Sequence, residues 1–124
     1  MNILHQLENY AGGARILRDW LGSDGVAVDQ ATAQRRADIC IACPRNKQGF
    51  LLTETIAQAI HEQIEAKNHI GLRVNGEKKL LSCEVCSCVN RLQIWCPTEF
   101  FNKYSTQEHR DSEYPEHCWK RKNL

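Results

Sequence analysis

Over most of this chain the apolar positions recur three and four residues apart, the interval that lines one face of a helix. Ile3, Leu4 and Leu7 set such a face over residues 2–10, and Ile16, Leu17, Trp20 and Leu21 set another over 14–21. Gly12-Gly13 breaks or kinks the join, and "LGSDG" ends the second helix in a turn. Asp29 then reads as the N-cap of "QATAQRRADIC", a helix that delivers Cys40 at its C-terminal end. Pro44 stops its continuation.

The best helical pattern is "TETIAQAIHEQIEAKNH", with Thr53 as its cap, Glu54 in its first turn and Ile56, Ala59, Ile60 and Ile64 as its stripe. Downstream the period changes. Asn75-Gly76 is a hairpin turn signal, so strands are expected near 71–74 and 78–82. "RLQIW" alternates like a further strand, and Pro97 opens a helix over "PTEFFNKY". The expected fold is a small α+β domain, with helices around a short β-hairpin in the manner of a zinc ribbon. It comprises residues 1–124 as one domain, helical over 1–39 and cysteine-rich over 40–124.

Composition narrows the function classes. A chain of 124 residues with 42% hydrophobic and 25% charged residues is ordinary for one domain, and a formal net charge of +1 gives no global attraction to nucleic acid or a membrane. No apolar run approaches the roughly 20 residues that span a bilayer. "MNILHQLENY" has neither a basic nor an apolar signal region, so a reducing cytosol is expected.

Seven cysteines are the exception to this plainness. A reducing compartment and an odd count both disfavour disulfides. Metal ligation fits better, because two cysteines separated by two residues wrap a tight turn and aim both sulfurs at one ion about 2.3 Å away. Cys40/Cys43 and Cys83/Cys86 form two such pairs. Residues 44–82 separate them, beyond the roughly 15–20 residues of a compact ribbon, so the insertion must carry its own structure.

Cys88 and Cys118 complete a candidate set of six: Cys40, Cys43, Cys83, Cys86, Cys88 and Cys118. Four of these suffice for one zinc ion; six thiolates hold two ions with bridging sulfurs. An iron–sulfur cluster ranks lower, because the spacing departs from ferredoxin patterns. Cys96, between Trp95 and Pro97, reads as a small buried residue. "YPEHCWK" is expected to fold back, bringing Cys118 to the metal region while Trp119 covers apolar surface.

Other chemistries have weaker signals. Cys40 ends a helix rather than opening one, the wrong end for a reactive thiolate, so a thiol redox protein is a distant alternative. An all-thiolate site is closed to water, and His5, His69 and His109 make no ligand motif, so no enzyme is expected. His61 beside the stripe reads as a surface or core histidine. Nucleic-acid binding by a zinc ribbon is the nearer alternative. Lys67, Arg73, Lys78, Lys79 and Arg91 outnumber Glu77 and Glu84, and Trp95, Phe100, Phe101 and Tyr104 can stack on bases. The plainer reading is a solvated hairpin edge with aromatics in the core.

The order "ADICIACPRN", "CEVCSC", "YPEHCW" resembles a group of cysteine-rich proteins encoded in tailed bacteriophages and prophages. The similarity covers most of the chain and includes Pro44 and Asn46 after the first pair. The chain departs from that pattern at Val89, where proline is expected, and in possessing Cys96. The resemblance implies a phage origin and a zinc site. The function expected is therefore a structural-zinc protein that acts through a protein partner, either phage or host. It would be a head or tail accessory component of the virion or a host-directed regulator, located in the host cytoplasm or the virion.

Overall fold

Asp29 caps the first helix that bears on the cysteines, as its sequence position suggests. In the computed structural model, residues 15–49, 51–69, 71–85 and 88–122 are described, the side chains of residues 51–53 excepted. The expected helix over 2–10, the Gly12-Gly13 break and Cys86 lie outside the described residues. Helix α1 is described over residues 15–22. Helix α2 spans Gln30–Ala42, with Asp29 Oδ1 accepting from the Thr32 N–H at 3.1 Å. Cys43 is its C-cap, and its N–H returns to the Cys40 carbonyl at 3.1 Å. One helix end thus fixes both cysteines of the first pair.

Strand β1, Asn46–Lys47, follows immediately, and helix α3 runs Leu51–Asn68. Thr53 therefore lies inside α3 rather than capping it; helix starts shift by one or two residues without changing the face presented. The buried face of α3 includes Ala57, His61 and Ile64, while Ile56 is exposed.

The expected hairpin does not form. Leu72 and Val74 alternate inward as a strand would, but side chains rather than a partner strand take up this segment's backbone groups. Glu65 accepts from the Leu72 N–H at 3.0 Å, Gln30 donates to the Arg73 carbonyl at 2.6 Å, and Gln34 accepts from the Asn75 N–H at 2.8 Å. Asn75-Gly76 does turn the chain, with Gly76 left-handed at φ 78°, but into a 3₁₀ turn over Glu77–Lys79. A Cβ at Gly76 would also meet Ile41 Cδ1 at 2.9 Å.

Strand β2, Ser82–Cys83, pairs antiparallel with β1 in the register Asn46↔Cys83 and Lys47↔Ser82. The fold is α+β with this two-stranded sheet. The sheet joins the two cysteine segments directly. "RLQIW" is helical, not extended: α4 spans Asn90–Gln93, and turns continue to Cys96. Val89, Asn90, Leu92, Gln93, Ile94, Trp95 and Cys96 are all buried, so alternation there carried no facing information.

Three further helices follow among the described residues: α5 over Thr98–Tyr104, α6 over Gln107–Glu113 and α7 over Trp119–Lys122. Pro97 is the N-cap of α5, and Thr106 caps α6 by accepting from the His109 N–H at 3.1 Å. The core gathers Trp20, Ala33, Ala37, Ile64, Leu72, Leu92, Ile94, Trp95, Phe101 and Trp119. Asp19 of α1 is bound by Lys103 and Tyr104 of α5, which ties the first helix to the fifth. Among the described residues, no helix is long and apolar enough to cross a membrane.

Candidate metal centre

Cys40 and Cys43 at the end of α2, Cys83 on β2 and Cys118 just before α7 line one cavity of about 20 Å³. That volume holds about one water-sized sphere. The sheet brings Cys83 there, because its partner Asn46 lies three residues beyond Cys43. The final segment brings Cys118 and Trp119 from the opposite direction, as the "YPEHCWK" pattern suggests. Trp119 is 1% exposed and meets Phe101 edge-to-face at 5.4 Å.

Backbone and side-chain N–H groups point at sulfur. The Arg45 backbone N–H donates to Cys43 Sγ at 3.4 Å, and the Trp119 indole donates to Cys40 Sγ at 3.3 Å. Such donors favour a thiolate over a thiol. Burial works the other way: it pushes the Cys40 thiol up to about 11, with the Trp119 hydrogen bond pulling against it. Among the described residues, no three Cys, His, Asp or Glu side chains stand close enough to ligate one ion as they are positioned.

Asn46 holds the cavity wall together. Its Oδ1 accepts from the Leu81 N–H at 2.7 Å and from Asn90 Nδ2 at 2.9 Å, and its Nδ2 donates to the Lys79 carbonyl at 2.8 Å. One amide therefore links the turn after the first cysteine pair to the approach to the second and to α4.

Two buried cations lie against this region. Arg36 is 1% exposed; its Nη1 donates to the Ile94 and Cys96 carbonyls at 2.9 and 2.7 Å, and its guanidinium sits 4.3 Å from the Trp119 ring centroid. Burial lowers its pKa to about 10, which still leaves it charged at neutral pH. Lys120 is 4% exposed and lines the cavity. Its ammonium lies 4.5 Å from the Phe101 ring and 5.1 Å from that of Tyr114.

The remaining candidates separate from this group. Cys88 is half-buried outside the cavity lining, and its carbonyl accepts from the Cys83 N–H at 2.8 Å. Cys96 is fully buried, its thiol pushed up to about 12 by that burial. His61 is a core histidine, 2% exposed, with Nδ1 3.1 Å from Glu65. Of the aromatics considered for base stacking, Trp95 and Phe101 are buried. Lys78 and Lys79 are exposed on the 3₁₀ turn rather than on a hairpin edge.

Sequence reasoning missed Asn46 as an organiser and Arg36 and Lys120 as buried charges. Arg36 sits on an otherwise apolar face with Ala33, Ala37 and Cys40, and that interruption was the available signal. Comparisons with family models, curated proteins and solved structures find no match to this chain.

Proposed function

We propose that this chain is a phage-encoded structural-zinc protein acting through protein contacts, as a head or tail accessory component of the virion or as a host-directed regulator. The observation that carries the metal reading is the convergence of Cys40, Cys43, Cys83 and Cys118 on one ion-sized cavity. The ligand set assigned is those four cysteines, with Cys86 the competing fourth ligand. Ligation requires side-chain rotation to bring the sulfurs to about 2.3 Å from the ion. A divalent ion supplies the positive charge that keeps buried sulfurs ionised.

The same features favour a structural role over catalysis. Four thiolates close the coordination sphere and leave no position for water. A redox thiol needs a depressed pKa, whereas burial raises that of Cys40. A closed site at the meeting point of α2, β2 and α7 is suited to holding a surface in shape for a partner. The phage assignment rests on the resemblance of the cysteine segments, and a protein partner is preferred over nucleic acid because the chain's formal net charge is only +1.

Elemental analysis tests the metal: about one zinc per chain is expected, and folded protein that carries no zinc and takes up none when it is supplied, or iron with a visible absorption band, overturns the assignment. Proteomics of purified virions then separates the accessory role from the host-directed one.

A further inference from the structure

We infer that Arg36 and Lys120 are built-in counter-charges of this centre, offsetting the negative charge of a divalent ion held by thiolates. The inference rests on the zinc reading above and adds residues that ligate nothing. Four thiolates around a divalent ion carry a formal charge of −2. Burying that charge is unfavourable unless opposite charge lies close by in the same low-dielectric region.

Arg36 and Lys120 supply two positive charges from two different helices, α2 and α7. Both are held in place. Carbonyls of Ile94 and Cys96 fix the Arg36 guanidinium, and the Trp119 ring covers it. Lys120 projects among Phe101, Tyr114 and Trp119, with Nζ 3.4 Å from the Tyr114 hydroxyl. Aromatic faces stabilise an ammonium while keeping water away. Trp119 contributes to both sides of the charge balance, its N–H on the Cys40 sulfur and its ring on Arg36.

A larger donor set fits less well. Two ions with six thiolates also carry −2, but a cavity of about 20 Å³ has room for one ion. Groups around a metal's ligands that tune its hold typically change affinity by about 10- to 100-fold when removed.

The test compares full-length Lys120→Gln, Lys120→Met and Lys120→Arg with the unaltered chain, by zinc competition against a chromophoric chelator and by thermal unfolding with and without zinc. Both neutral variants should bind zinc about 10-fold or more weakly, while their metal-free forms melt no lower than the unaltered metal-free chain. Lys120→Arg, which keeps the charge, should recover most of the affinity. Equal loss of melting temperature in the zinc-bound and metal-free forms would make Lys120 a packing residue and overturn the inference. Unchanged zinc affinity in the neutral variants, with the unaltered chain still taking up zinc, overturns it as well and leaves the zinc reading standing. An unaltered chain that takes up no zinc removes both.

Discussion

The Trp119 indole donates its N–H to Cys40 Sγ at 3.3 Å, joining two residues 79 positions apart in the chain. The contact fastens α7 to the end of α2. The same ring meets Phe101 and Arg36, so polar and apolar reasons for the closure coincide in one side chain.

These two contributions separate by substitution. Trp119→Phe keeps a ring against Phe101 but removes the donor to sulfur, so zinc affinity should fall by about 10-fold with a smaller loss of stability. Trp119→Ala removes the ring as well and should cost about 3–5 kcal/mol. Chelator competition and denaturant unfolding read the two effects independently.

Serine scanning of the cysteines distinguishes ligands from bystanders. Cys40→Ser, Cys43→Ser, Cys83→Ser and Cys118→Ser should each lose the ion and with it much of the cooperative unfolding transition, because metal-binding free energy is also folding free energy. Cys86→Ser and Cys88→Ser should keep it. Cys96→Ser should also keep it, at a cost of about 1–3 kcal/mol for burying a hydroxyl where the thiol now reaches the Pro97 carbonyl at 3.7 Å. Zinc content of each purified variant decides the matter.

Asn46→Ala should destabilise the chain by about 1–3 kcal/mol, since the Leu81 N–H and the Asn90 amide lose their shared acceptor. Hydrogen exchange should show faster opening of the Leu81 amide than of the helical amides of α2.

Asp19 gives a pH-dependent contribution. The Tyr104 hydroxyl, then Lys103, hold its carboxyl below the usual range. Its folded pKa is thus below its unfolded one, so the stabilisation is complete above the unfolded value of about 4 and disappears as pH falls through the folded value. Asp19→Asn should therefore lower the melting temperature at neutral pH, and the difference should narrow as the solution is acidified.

Where local chemistry decided the structure, the sequence was readable. Asp29 capped α2, and the stripe through Ile60 and Ile64 marked α3, because each signal involves residues a turn or two apart. The strands near 71–74 and 78–82 did not pair as a hairpin because side chains of other elements, Gln30 and Gln34 of α2 and Glu65 of α3, took hydrogen-bonding groups a partner strand would have used. Residues 89–96 were misread because they are buried nearly all round. At the candidate centre, the cysteine spacings and the "YPEHCW" segment pointed to the residues that line the cavity. Lys120 did not stand out, since a lysine on a four-residue helix ordinarily faces water, and Arg36 was marked only by its interruption of the apolar face of α2.

The 79-position span between Cys40 and Trp119 also imposes an order on synthesis. Helices α2 and α3 depend on near neighbours and can form while the rest of the chain is still on the ribosome. The seal over the cysteine cavity cannot, because its last pieces, Cys118 and Trp119, are translated long after Cys40. A nascent chain interrupted before that point leaves the cysteine cavity open and exposes the apolar surface that Trp119 covers, and such exposed surface makes an unfinished chain prone to aggregate.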